Sequence, residues 1–387
     1  MTTTYLQAIE KASSYDAAEL KKGIDALFRT LQIEKDLRPG MRVLLKPNLL
    51  GDYNTYFSVT TNPAVVAAVA DWLSAHGITD VTVADSPGGS ACRMPGFNFA
   101  DFYENAGYSF LAQRGVRLNT DSGWRSVPAP KGCVLKDYNI LNVIADVDYI
   151  INMPKLKTHN KTVISFGVKN LFGCVPDIQK PAFHARYPRI ADFATMLVEL
   201  AMTVKPALTV IDAVEIMEHN GPVAGEKRQL GMLFAAKDVF SQDAFLAQLL
   251  GVDEEKTDLL RIARGKGLVR AAQVMSGTFN PDETVVPLKL PDIFTVNSLP
   301  EKVVSLLHMA ADKAGELLFT QTPCINNKAC ARCLRCLHSC PAGAIADNGS
   351  SLEIDTKKCI HCLCCSEVCT HRAIRIKTEI KKRRKPT

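Results

Sequence analysis

The chain has 387 residues, 47% of them apolar, with 46 basic and 40 acidic side chains and a formal charge of +6. That length suits two or three domains rather than one core, and no run reaches the roughly 18 consecutive apolar residues of a membrane span. The basic excess is local: Lys377, Lys381, Lys382, Arg383, Arg384 and Lys385 against Glu379 give the tail 377–387 a charge of +5, so the rest is near neutral, and a basic end of this kind is most often a solvated tail rather than a nucleic-acid site. The N-terminus shows neither a basic region with an apolar run nor a small-residue cleavage site. The expectation is a cytoplasmic protein with no membrane or nucleic-acid partner.

From the N-terminus, apolar side chains at Ala17, Leu20, Ile24, Leu27, Phe28 and Leu31 predict a helix within 15–32. A strand over Met41–Leu45 follows the Pro39-Gly40 turn. Asn62-Pro63 opens a helix through Trp72, with Gly77 as its stop. Further strands are expected at Ile78–Ala84, Val147–Ile151, Ala207–Ile211 and Gly231–Ala235, and helices at 189–203, Gln242–Leu250 and about 299–318. This alternation predicts an α/β domain with a mostly parallel sheet over 1–298, then a linking helix over 299–320.

Polar residues gather just after these strands. Lys46-Pro47-Asn48 follows one, Asp85-Ser86-Pro87-Gly88-Gly89 the next, Asn152-Met153-Pro154-Lys155 the third and Asp212 the fourth. In an open parallel sheet such loops share the carboxyl edge, where ligands bind, although each alone is ordinary turn chemistry. The segment Tyr149–Pro176 has no acid but holds Lys155, Lys157, His159, Lys161 and Lys169, with Asn160 and Asn170. Lysines beside backbone amides suit a carboxylate or phosphate, and His159 is a candidate proton donor; the alternative is a solvated basic face. The catalytic candidates are therefore Lys155, Lys157, His159 and Lys169. Lys46, Asn48, Asp85, Ser86, Asn170, Glu218 and Asn220 are substrate-binding candidates, the last two completing the pocket or only capping a turn. No dinucleotide fingerprint, Walker motif or zinc-protease histidine pair is present.

Ten of the 13 cysteines lie between Cys324 and Cys369. Cys330, Cys333, Cys336 and Cys340 recur at an offset of 29 residues as Cys359, Cys362, Cys365 and Cys369, and Ala344-Ile345 recurs as Ala373-Ile374. Spacings of two, two and three residues, with Pro341 after the first set, form the bacterial two-cluster ferredoxin run. Two 4Fe–4S clusters follow, in a small α+β ferredoxin-like domain over 321–376. The fourth cysteine of each run ligates the other cluster, which predicts Cys330, Cys333, Cys336 and Cys369 for one and Cys359, Cys362, Cys365 and Cys340 for the other. Structural zinc sites usually take cysteine pairs from separate loops. Thr370 replaces the second proline, and Cys324 and Cys364 are left over, Cys364 beside a ligand.

Several of these runs together resemble the domain of unknown function 362 family. They are Lys46-Pro47-Asn48, Asp85-Ser86-Pro87-Gly88, Pro154-Lys155-Leu156-Lys157-Thr158-His159, Gly167-Val168-Lys169-Asn170-Leu171-Phe172-Gly173 and Glu218-His219-Asn220-Gly221-Pro222. The resemblance covers roughly 40–245 and 325–375, including the Cys362-Leu363-Cys364-Cys365 form. It implies an α/β domain joined to a two-cluster ferredoxin domain, and names no substrate. The family's Glu-Gly-Asn-Gly-Pro turn carries His219 here, a further candidate ligand or proton donor.

Together these readings predict an iron–sulfur oxidoreductase. Electrons from a low-potential donor such as ferredoxin or flavodoxin would pass through the clusters to an anionic small molecule in the α/β domain. The alternatives are an electron carrier or a redox sensor docking on a partner oxidoreductase. Buried Lys155 or Lys169 in a pocket would favour the enzyme, and exposed lysines on a flat face the carrier.

Overall fold

The computed structural model describes residues 4–51, 58–88, 92, 96–280, 285–292 and 319–380. Its α/β region contains β1 (Thr4–Lys11), β2 (Val43–Pro47), β3 (Val81–Val83), β4 (Arg117–Leu118), the hairpin β5 (Trp124–Pro128) and β6 (Asp137–Leu141), β7 (Tyr149–Met153), β8 (Lys155–His159), β9 (Val163–Ser165), β10 (Leu208–Glu218), β11 (Glu226–Ala236) and β12 (Ala271–Ser276). One ten-stranded sheet runs in the order β12-β1-β11-β10-β7-β2-β3-β4, with β8 paired to β10 and β9 to β8. Its pairs are mostly parallel; β1–β11, β10–β11 and β8–β9 are antiparallel.

Helices cover the sheet because each presents an apolar stripe. Ala17–Leu31 starts at the Asp16 cap, which accepts from two backbone N–H groups, and buries Leu20, Ile24, Leu27 and Phe28. Pro63–Ala75 is capped by Asn62 and stops before Gly77, whose φ of +78° suits glycine. Ile190–Val204 packs in a second core with Phe172 and Val168. These three helices lie where the sequence predicts them, within 15–32, from Asn62-Pro63 and over 189–203. β10 runs past the expected Ile211 to Glu218 because its far half pairs with the equally extended β11.

The C-terminal region is built from two short antiparallel pairs. β13 (Phe319–Ile325) pairs with β16 (Ile374–Ile380), and β14 (Ile345–Asp347) with β15 (Leu352–Ile354). One-turn helices at Arg335–His338 and Cys364–Glu367 follow corresponding points of the two cysteine runs. The fold is thus a mostly parallel α/β domain followed by a small α+β region. The linking helix expected at 299–320 lies outside the described residues, apart from Phe319 and Thr320, which already belong to β13. So does the tail from 381 onward. Among the described residues, no helix is long and apolar enough to cross a membrane.

The sheet is pinned beside its carboxyl edge by a buried ion pair. Lys155, 1% exposed, donates to Asp212 Oδ2 at 2.8 Å and to the Tyr15 hydroxyl at 2.6 Å. Asp212 also accepts from the Tyr15 hydroxyl and the Asn62 backbone. An ammonium left buried without its counter-charge is strongly destabilising. Asp212→Ala is expected to lower stability by about 3–5 kcal/mol, read as a lower urea midpoint at constant slope. Pairing Lys155→Met with Asp212→Leu recovers most of the loss. An unchanged midpoint for Asp212→Ala would refute this structural role.

Candidate functional site

Every residue of β8 is buried, and its odd positions carry Lys155, Lys157 and His159 on one side. Lys155 is taken by Asp212 and does not reach the cavity beyond it. Lys157 and His159 do reach it. This cavity, of about 60 Å³, lies between the α/β region and the C-terminal region. It has room for a few waters or one carboxylate- or phosphate-sized group.

The floor comes from the ends of the parallel strands. Lys157 Nζ donates to Asn48 Oδ1 (2.7 Å) and to the Val59 carbonyl (2.6 Å). Asn48 Nδ2 donates to Asn170 Oδ1 at 3.1 Å, and Asn170 Nδ2 to Asn152 Oδ1 at 2.8 Å. These amides fix one another. Lys46 pairs with Asp85 at 2.8 Å, both buried, and Asp85 and Ser86 line the cavity. Gly173 packs over this pair: a Cβ there would meet Asp85 Oδ1 at 1.8 Å and Lys46 Nζ at 2.6 Å. Glycine is therefore required in the Leu-Phe-Gly run.

Lys169 and Asn170 lie in the short helix Gly167–Asn170. Its first two N–H groups donate to the buried Asp243 carboxylate at 2.8 and 2.9 Å. Lys169 Nζ stands 5.3 Å from the centre of the Phe172 ring. Opposite, Lys180 donates to the carbonyls of Ser86 and Pro87. His184 stacks on Phe193 at 4.4 Å, and among the described residues its buried Nδ1 has no hydrogen-bond partner. Lys161 is 3% exposed, and its Nζ likewise has none.

The remaining wall belongs to the C-terminal region. Cys364 and Glu367, on the helix Cys364–Glu367, line the same cavity. His159 Nε2 faces Glu367 Oε1 at 3.3 Å. His159 Nδ1 accepts from the Lys161 backbone at 3.0 Å, so Nε2 carries the hydrogen. Gln321 adds a second tie, donating to the Asn160 carbonyl at 3.1 Å.

Burial, reinforced by the charge of Lys169, pushes Lys157 down to about 7 and His159 to about 4. Burial with Lys46 nearby brings Lys180 to about 8. Burial also lowers Lys169. Burial alone would raise Glu367, but His159 and Lys169 hold it below the usual carboxylate range. His159 is thus neutral near pH 7, and Lys157 titrates there. Lysines thus line the cavity, and of Lys157 and His159 it is the lysine that titrates near neutrality.

Some sequence candidates lie elsewhere. Glu218 is 2.9 Å from Arg228 Nε and accepts from the Lys289 backbone. Asn220 donates to Asp292, and His219 stands between Glu226 and Asp292. Neither Glu218, His219 nor Asn220 lines the cavity, because the extension of β10 carries them past it. The same turn still shapes the site: Pro222 lines it, and Gly221 packs against Thr158, whose carbonyl a Cβ would meet at 2.2 Å. Sequence reasoning did not single out Lys180, Phe172, Asp243 or Glu367 for the site. Glu367 gave no local signal, since only tertiary packing brings it here.

The cysteines surround two further cavities. One is lined by Cys330, Cys333, Cys336 and Cys369, the other by Cys340, Cys359, Cys362 and Cys365. Among the described residues, no three Cys, His, Asp or Glu side chains converge on a single ion; instead, four thiols ring each space, as a multi-iron cluster needs. Backbone N–H groups of Ala344 and Ala373 point at Cys340 and Cys369 Sγ, both at 3.2 Å, and would support thiolate charge. The donor set therefore fits 4Fe–4S clusters.

Comparisons with known proteins agree. The model of the domain of unknown function DUF362 matches residues 43–248, and that of a 4Fe-4S dicluster domain matches residues 322–370. The chain is 34% identical over 299 residues to the thylakoid-associated protein sll1697 of Synechocystis sp., covering 73% of this chain and 87% of that one. The lactate racemase apoprotein from Thermoanaerobacterium thermosaccharolyticum is similar over 63% of this chain and 57% of its own, less than two thirds of its length, at 11% identity and a TM-score of 0.41, too distant to bear on function. With a dicluster domain that supports an iron–sulfur electron-transfer role, the chain belongs to the DUF362 family.

Proposed function

We propose that this protein is a reductase that delivers electrons from its cysteine-bound clusters to a small anionic molecule held in the lysine-lined cavity. One observation carries the reading: the helix Cys364–Glu367, inside the second cysteine run, forms a wall of that cavity. Buried rather than surface lysines favour this over a carrier or sensor, whose docking charges would face water. We assign Cys330, Cys333, Cys336 and Cys369 to one cluster and Cys340, Cys359, Cys362 and Cys365 to the other. When bound, the clusters supply single electrons at low potential.

The chain's own residues do the rest. Lys169 and Lys180 attract the anion, and Lys157 holds it while Asn48 and Asn170 fix the lysine's direction. Lys157, titrating near neutrality, gives up the proton that accompanies reduction. His159, neutral and held by Glu367 and two backbone N–H groups, orients the wall. Lys46, Asp85 and Ser86 shape the floor. The small volume excludes bulk water. The donor is a low-potential carrier protein of the ferredoxin or flavodoxin kind, and the setting is cytoplasmic.

Anaerobic loading should give about eight iron and eight sulfide per chain. Cys340→Ala should remove the paramagnetic signal of the site formed with Cys359, Cys362 and Cys365 and spare the other. Loss of the Cys330 site alone would disprove the crossed assignment.

Inorganic phosphate binding, followed by calorimetry on the loaded protein, tests the cavity. Lys169→Ala should weaken it by about ten- to a hundredfold, because a charge-assisted contact is worth about 1.5–3 kcal/mol. The Lys157 ammonium is charged below about pH 7, so affinity should be full below that pH and fall as pH rises through it. Lys157→Met should flatten that part of the profile. An unchanged affinity in both variants would refute the anion site.

A further inference from the structure

Among the described residues, six lysines are buried. Lys46 and Lys155 pair with Asp85 and Asp212, Lys157 and Lys180 donate to side-chain or backbone oxygens, and Lys169 lines the cavity. Lys161 does none of these. It is not part of the cavity lining, and its Nζ has no hydrogen-bond partner among the described residues; it has the Phe193 ring, whose centre is 4.8 Å away. A ring face contributes much less than a counter-ion to keeping an ammonium buried. The turn that carries Lys161, between β8 and β9, is held against the second cysteine run by two ties. Gln321 Nε2 donates to the Asn160 carbonyl at 3.1 Å, and the Gln321 carbonyl accepts from His361 Nδ1 at 2.9 Å. His361 directly precedes Cys362. The second tie is His159 to Glu367, two residues beyond Cys365. Burial weighs against the Lys161 charge, and the groups that favour it are Cys364, Cys362 and Glu367. Glu367 is shared with His159 and Lys169, and a hydrogen bond from the Cys364 thiol leaves negative charge on Cys362. The counter-charge left for Lys161 is therefore at the Cys362 site.

We propose that Lys161 is the buried counter-ion of the 4Fe–4S cluster held by Cys340, Cys359, Cys362 and Cys365, and that its charge raises the reduction potential of that site. The proposal rests on the cluster assignment above and not on the anion in the cavity. A 4Fe–4S core with four thiolates carries about −2 when oxidised and about −3 when reduced, so a fixed cation beside it favours the reduced form. Reduction adds one electron from an external one-electron donor, and no bond is made or broken at Lys161. The effect is directional: an electron shared between the two cysteine sites is drawn toward the one whose helix walls the cavity.

The test is an anaerobic redox titration of the iron-loaded full chain with dithionite, followed by paramagnetic resonance, with nothing added for the cavity. Lys161→Met should lower one midpoint by about 59 mV or more, a tenfold change in a one-electron equilibrium. That midpoint should be the one lost in Cys340→Ala, while the other equilibrium changes less than about twofold. Lys161→Gln should behave as Lys161→Met does, and Lys161→Arg, which keeps the charge, should stay within about twofold of the unmodified protein. Lys358→Gln, which removes an exposed lysine beside Cys359, should also change the equilibrium less than about twofold, because water and salt screen it. Loss of that cluster in both neutral variants with retention in Lys161→Arg shows the same dependence on charge more strongly. The proposal fails if the neutral variants leave both midpoints in place, or if the shift falls on the other midpoint. It also fails if Lys161→Arg or Lys358→Gln shifts as far as Lys161→Met, or if all three Lys161 variants lose the cluster. Iron and sulfide analysis separates this from the cluster assignment: a chain with both clusters and unmoved midpoints overturns only the role of Lys161.

Discussion

The structure depends on keeping cations inside a strand. β8 is buried along its whole length, yet turns two lysines and a histidine to one side. A buried ammonium without a partner is costly enough to lose its proton or unfold its surroundings. Each group therefore draws in a different part of the chain. Lys155 takes Asp212 from β10, Lys157 takes Asn48 and the Val59 carbonyl from beyond β2, and His159 takes Glu367 from the C-terminal region. The strand thus organises sheet, cavity floor and cavity wall together. A graded charge environment results: the pair with Asp212 is compensated, whereas Lys157 has only neutral oxygens and stays titratable near neutrality.

Much of this organisation was legible in the sequence where the signal was local. Apolar periodicity marks the helix at Ala17–Leu31, the Asn62-Pro63 start and Gly77 stop mark Pro63–Ala75, and cysteine spacing marks the dicluster region, because three of the four ligands to each cluster lie in one short run. β8 was harder. Its alternation of Lys155, Lys157 and His159 with Leu156 and Thr158 has the period of a strand, but its polar face points inward, against the usual rule for a half-buried strand. The segment therefore also read as a solvated basic face. Glu218 and Asn220 fall at the edge only if β10 ends near Ile211. Antiparallel pairing with β11 extends it, a long-range effect that no local pattern carries.

The residues that sequence reasoning passed over share a property: their role depends on what packs against them. Lys180 is one basic side chain among 46, until its bonds to the Ser86 and Pro87 carbonyls set it at the cavity. Asp243 lies on a buried helix and matters because it accepts from the first two N–H groups of the turn bearing Lys169. His184 Nδ1 and Lys161 Nζ, without hydrogen-bond partners among the described residues, depart from full polar satisfaction, although Lys161 Nζ stands 4.8 Å from the centre of the Phe193 ring. Such departures concentrate where a structure is shaped for something other than its own stability.

The wall formed by Cys364 and Glu367 sits within the second cysteine run, beside Cys362, Cys365 and Cys369. Metal binding and folding of a small cysteine-rich region are one equilibrium, since its apolar core is too slight to order the loops alone. The C-terminal core is small: Ile345, Leu352, Val368 and Ile374 are buried in it together with Cys336 and Cys365. One short helix, Cys364–Glu367, therefore serves two spaces at once: Cys365 lines a thiol-ringed cavity, while Cys364 and Glu367 line the lysine cavity. Whatever orders the second cysteine run also sets the Glu367 carboxylate against His159.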